Sequence, residues 1–184
     1  MTTYLIVDGE NIDATLGNNV LGGRRPTPDE RPRWDRVLSY AKGESGDASG
    51  LFFLNASHGA LPMTFVSALL AIGYRPLPLS SSEPGVKVVD VGIQRTLEAL
   101  KEREGDVLLV SHDGDFLPQV GDLLDGTRKV GVLGFREFLS NGYTPLVERG
   151  LTVHDLEEDV HAFTSPLPRI RVIALEDFDP LKYL

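Results

Sequence analysis

The chain has 184 residues, with 27 acidic against 18 basic side chains for a formal net charge of -9, and it contains no cysteine. That length suits one domain with a substantial core. The missing cysteines exclude a disulfide framework and a thiolate zinc site, and the acidic balance argues against a broad basic surface that holds nucleic acid. No apolar run approaches the roughly 20 residues that cross a bilayer. The opening MTTYLIVDGE enters a strand pattern rather than a leader, so the expectation is a cytoplasmic protein without a membrane partner.

Short apolar blocks alternate with helical patterns, the sign of βαβ units and a parallel sheet. Strands are expected at Tyr4 to Val7, ending at Asp8, then at Leu51 to Leu54, Tyr74 to Leu79, Val107 to Val110 and Val130 to Leu133. Helices are expected between them at Trp34 to Ala41, Met63 to Ile72, Val88 to Arg103 and Phe116 to Leu124. Pro62 precedes the second of these at a favourable first position. In the third, Val91, Leu97 and Leu100 are placed on the core-facing stripe, with Glu98, Lys101, Glu102 and Arg103 toward water. The expected fold is therefore a three-layer α/β/α domain around a mainly parallel sheet of about five strands, spanning residues 1–160.

Two stretches break the pattern. Residues 17–33 include GGRRPTPDERPR, whose three prolines and two glycines forbid a regular element and predict a long loop. Its Arg24, Arg25, Arg31 and Arg33 suit a phosphate-gripping flap, since guanidinium groups pair with phosphate oxygens. Interleaved Asp29, Glu30 and Asp35 equally suit a solvated loop. Residues 161–184 form a C-terminal extension in which Ile170 to Leu175 reads as an extra strand, and that apolar segment suggests a symmetric homodimer.

Right-handed crossovers bring the carboxyl ends of parallel strands to one edge, where ligands bind. The first strand ends in VDGEN and the fourth in VSHDGDFLP, and the helix that leaves the third strand carries Asp90 in its first turn. Asp8, Asp90, Asp113 and Asp115 thus converge from separate segments. Such a cluster repels itself without a cation, and oxygen ligands lacking His or Cys suit Mg²⁺ or Mn²⁺. Metal-assisted phosphodiester hydrolysis follows as the expected chemistry.

Each residue has a plainer reading as well. Asp8 before Gly9 suits a turn, and Asp90 suits a helix dipole. Asp113 or Asp115 suits an N-cap, and Ser111 suits a turn-holding bond. Glu10 is balanced between an outer ligand and an exposed acid, while Lys87 and Arg95 flank the acidic helix start and suit phosphate. The four histidines form no metal spacing.

At these residues the sequence resembles the NYN domains, a branch of the PIN-like ribonucleases. The resemblance is carried by Asp8 with Asn11, by Lys87 with Asp90, and by Ser111, Asp113, Asp115, Phe116 and Pro118, in that family's order, over roughly Thr3 to Asp155. It implies a Mg²⁺- or Mn²⁺-dependent endoribonuclease with RNA as its partner. The matched acids would be the metal ligands, and Asn11 and Ser111 would support substrate or water. A non-catalytic RNA-binding or scaffold module on the same fold is the second reading. The pattern departs from haloacid dehalogenase-like transferases, which need Asp-x-Asp-x-Thr after the first strand, and from receivers, which need a Lys after the fifth. A Toprim site would close the first strand with Glu.

Overall fold

The computed structural model describes residues 1–43 and 46–184. Six parallel strands form one sheet in the order β3-β2-β1-β4-β5-β6: β1 Thr3–Asp8, β2 Ala48–Asn55, β3 Arg75–Leu79, β4 Asp106–Val110, β5 Val130–Gly134 and β6 Thr152–Asp155. The three-layer α/β/α architecture is the one expected, with β6 added to the five strands. The central strands read as nearly unbroken apolar runs because both faces are covered. Leu5, Ile6 and Val7 on β1 and Leu109 and Val110 on β4 are all fully buried.

The helices are α1 Gly9–Thr15, α2 Trp34–Lys42, α3 Met63–Ile72, α4 Val88–Leu100, α5 Leu117–Leu123 and α6 Thr144–Val147. Successive strand residues point to opposite faces, so the core divides in two. Leu5, Val7, Phe52 and Leu54 pack with Ile12, Leu16, Trp34, Val37 and Leu69 on one face. Ile6, Phe53 and Leu109 pack with Val89, Ile93, Leu97, Phe116 and Val120 on the other.

Helix α1 was not among the expected elements. It starts directly after Asp8 and continues as a π-turn over Leu16–Val20, so only the remainder of residues 17–33 is irregular, apart from a short 3-10 turn at Pro28–Glu30. Helix α4 stops at Leu100, where its last turn tightens into bonds from Lys101 and Arg103 back three residues. Its buried stripe is Val89, Ile93, Leu97 and Leu100, and Val91 is only half-buried.

The tail also departs from expectation. Ile170 to Leu175 forms no strand: Ile170 and Val172 are 100% and 101% exposed. Their neighbours hold the segment down instead, since Arg169 pairs with Glu137 and Glu157, and Arg171 pairs with Glu157 and Glu158. The core runs past residue 160, because Ala162 and Leu167 are buried in the first cluster.

The strand order positions the site. The chain steps from β1 to β2 to β3 in one direction, and then β4 returns to pair with the other side of β1. Crossovers therefore diverge on either side of the β1–β4 junction, and a crevice opens beyond the carboxyl ends of those two strands.

Candidate functional site

Asp8 ends β1 at that crevice and Ser111 follows β4. Asp8 is 3% exposed, and its Oδ2 accepts a hydrogen bond from the Ser111 hydroxyl at 2.9 Å; the backbone N–H of Asn11 also donates to its carboxylate. Ser111 Oγ in turn accepts from the Asp113 backbone N–H at 3.2 Å. Burial pushes the Asp8 carboxyl up to about 6, against the lowering effect of these two bonds, and the nearby charges of Asp90 and Asp113 add to the rise.

Asp90, Asp113 and Asp115 each offer a carboxylate oxygen, and the three oxygens lie within 4.8 Å of one another. Asp8 stands outside this group, buried beside it. Asp113 has a second duty as the N-cap of the turn at Gly114–Phe116, its Oδ1 accepting from the Asp115 N–H at 3.0 Å. Asp90 is half-buried, and its carboxyl is raised first by burial and then by Asp113. The Lys87 ammonium lies 3.7 Å from Asp90 Oδ2 and 3.6 Å from Asp115 Oδ2, and Asp90 most of all holds it protonated. An all-oxygen donor set of three carboxylates fits a hard divalent cation.

Neutral groups brace the acids. The Tyr143 hydroxyl donates to the Asp113 carbonyl at 2.7 Å, and the Gln94 amide donates to the Asp115 carbonyl at 3.1 Å. Asn11 Oδ1 accepts from both the backbone N–H and the ring Nδ1 of His112, at 2.8 and 2.9 Å. The Phe135 N–H donates to His112 Nε2 at 2.8 Å, so Nε2 carries no proton and Nδ1 does. Burial lowers the His112 imidazole to about 4, which keeps this neutral tautomer. With its oxygen engaged twice, Asn11 has only its NH₂ group left for a ligand. Tyr143 lies 30 residues from Asp113 along the chain and carries no sequence signal, whereas Gln94 stands one helical turn after Asp90 on α4, a spacing that puts the two on one face. His112 does adjoin the acids, and its role is to hold Asn11.

No family model matches the chain, and no curated protein matches it. Among solved structures the chain is similar to a protein of unknown function from Vibrio parahaemolyticus, with 20% identity and a TM-score of 0.66 over 86% of this chain and 94% of that one. That likeness shows the fold alone.

The arginines of the arginine-rich loop are largely paired, one within the loop and two with the flanking helices. Arg24 directs both terminal nitrogens to Glu30, at 2.8 and 2.6 Å, and Glu30 also accepts from the Thr27 N–H. This pairing pulls the Glu30 carboxyl down to about 2. Arg31 pairs with Asp13 and Arg33 with Asp35. Arg24 is thus paired with Glu30 at the protein surface, its side chain 46% exposed. Arg25 is exposed and carries no such pair among the described residues, and Arg95 is exposed on α4. Among the described residues no helix is long and apolar enough to cross a membrane.

Proposed function

We propose that this chain is a divalent-metal-dependent endoribonuclease of the NYN type, in which Asp90, Asp113 and Asp115 hold Mg²⁺ or Mn²⁺. The observation that carries the reading is the approach of three carboxylate oxygens to within 4.8 Å at the β1–β4 switch point, beside a buried acid. The motif resemblance at Asp8, Asn11, Lys87, Asp90, Ser111, Asp113 and Asp115 supports it.

A bound divalent cation supplies charge neutralisation for the phosphodiester and lowers the pKa of an attacking water. The protein groups have distinct duties around that chemistry. Asp113, fixed by its capping bond and by Tyr143, sets the position of the ligand group. Asp8, with a carboxyl near 6, is suited to take the proton of the attacking water. The water oxygen forms a bond to phosphorus as the bond to the leaving ribose oxygen breaks, and that oxygen takes up a proton from solvent to leave as a hydroxyl. Lys87 at the exposed rim contacts a phosphate oxygen, and the Asn11 NH₂ donates to the strand.

Lys87 also favours a second reading. Its ammonium already bridges two of the three acids, so the cluster is partly neutralised without a metal, as in a non-catalytic RNA-binding module. Cleavage of a labelled single-stranded RNA in Mn²⁺, Mg²⁺ or chelator decides between the two, with wild type set against Asp8→Asn and Asp113→Asn. Metal-dependent products that disappear in both variants are expected; RNA binding without cleavage in any metal selects the module.

A further inference from the structure

A second feature of the same edge is unused by this chemistry. A cleft of about 530 Å³ opens between α1, the arginine-rich loop, the end of β2 and the start of α3, and its lining includes Trp34, Phe52, Phe65, Glu10, Asn55 and Arg25. It lies on the opposite face of β1 from the acids. Asp8 follows Ile6 on the α4 side, whereas Gly9 lies against the Phe52 ring, where a Cβ would meet Cε1 at 2.5 Å. Both sites share the Asp8–Glu10 turn, so no more than ~7 Å of chain separates the buried acid from the cleft wall.

We infer that this cleft seats a nucleobase of the RNA strand whose backbone crosses the acids, and that Arg25 grips an adjoining phosphate. The inference rests on RNA being the strand at that edge. The volume falls within the roughly 300–1,000 Å³ typical of small-ligand pockets; Phe65 is the partly exposed ring of its wall, while Trp34 and Phe52 line it from the core at 8% and 2% exposure, and such a wall suits the apolar face of any base. Both hydrogen-bonding senses are present at the rim. Glu10 is exposed and accepts. Asn55 Oδ1 is taken by the Ser57 N–H at 2.9 Å, which leaves the Asn55 NH₂ to donate. Base edges offer donors and acceptors in return. The charged lining is balanced, Glu10 and Asp13 against Arg25 and Arg31, and it is the unpaired arginine that offers a phosphate contact. Arg24, Arg31 and Arg33 are bound to Glu30, Asp13 and Asp35, whereas Arg25 is the arginine of that loop segment without a carboxylate partner among the described residues.

Trp34 is the chain's single tryptophan, so its emission reports on this cleft. The test titrates the full chain in chelator with oligoadenylate, with oligouridylate and with an abasic ribose-phosphate oligomer of equal length. A saturable change in Trp34 emission is expected with both base-bearing strands and not with the abasic one. Arg25→Glu, an exposed change that leaves the core intact, is expected to weaken the response at least about tenfold, as for loss of one charge-assisted contact. An unresponsive Trp34, an equal response to the abasic strand, or a response indifferent to Arg25→Glu overturns the base seat. Because no hydrolysis is needed, the two readings fail separately. Base-dependent emission with no cleavage in any metal retires the nuclease and keeps the seat, and cleavage with a silent Trp34 retires the seat alone.

Discussion

The Ser111 hydroxyl and the Asp8 carboxylate meet at 2.9 Å across 103 residues of chain, and this bond ties the end of β1 to the residue after β4 at the switch point. It is the strongest influence opposing the rise of the Asp8 carboxyl, which burial carries from 3.8 to about 6. The folded protein therefore binds that proton more tightly than the unfolded chain, and between about pH 4 and pH 6 the Asp8 contribution makes stability fall as pH rises. His112 acts in the opposite sense: its imidazole drops from 6.5 to about 4, so the unfolded chain takes the proton first and stability is lost as pH falls through that range. Asp8→Asn keeps an acceptor for Ser111 but removes the first contribution. Relative to wild type, the variant gains on the order of 3 kcal/mol across the Asp8 window. Urea denaturation in chelator over that range measures it, and a difference constant with pH contradicts the assignment.

Lys87 sits between Asp90 and Asp115, where a divalent cation would compete with it. Replacing it with Ala removes an internal counter-charge. The expected result for Lys87→Ala is tighter Mn²⁺ binding by calorimetry, together with weaker binding of RNA, because a phosphate contact is lost. The lysine side chain is 73% exposed, so the fold is expected to be unaffected. If Mn²⁺ affinity falls instead, Lys87 is not a competitor for the cation.

Gly134 sets the position of His112 from the far side. A Cβ there would lie 2.7 Å from His112 Nε2 and 2.8 Å from Cδ2. The ring has no room to yield, being stacked on Phe135 at 5.8 Å and bonded at both nitrogens. Gly134→Ala is expected to cost about 2 kcal/mol through overpacking, read as a fall in Tm of several degrees. RNA cleavage should fall with it, as the Asn11 amide loses its anchor. An unchanged Tm contradicts the stated rigidity of the ring.

The strands and the acids were legible because both follow from one-dimensional rules. Unbroken apolar runs such as LIV on β1 and VLLV on β4 mark strands buried on both faces, and acids at strand ends must share an edge. Helix α1 escaped because Gly9, Gly17 and the Asn18–Asn19 pair mask its pattern, although Ile12, Leu16 and Val20 recur every fourth residue and are all buried. The tail misled in the other direction. Ile170 and Val172 alternate with Arg169 and Arg171 as in a strand, but ion pairs to Glu137, Glu157 and Glu158 occupy the arginines and no strand among the described residues pairs with the segment. Only three dimensions reveal that Asn11 has spent its oxygen on His112, or that Arg24 has spent its guanidinium on Glu30.

Leu167 and Val172 lie five residues apart on opposite sides of a boundary. Leu167 is buried in the same cluster as Phe135 and Ala162, whereas Val172, Leu175, Leu181 and Leu184 are exposed. Truncation after Arg171 keeps the arginine ties and removes mostly exposed side chains, Ile173 and Phe178 being the partly covered ones at 42% and 47% exposure, so stability should change by no more than about 1 kcal/mol. Leu167→Ala should cost about 2 kcal/mol or more, as a buried leucine does. A row of bare apolar side chains suits an interface, so the full chain is expected to sediment as a homodimer and the truncated chain as a monomer. Monomers in both runs assign the exposed row to a different partner, and a large loss of stability on truncation moves the boundary of the folded unit to the end of the chain.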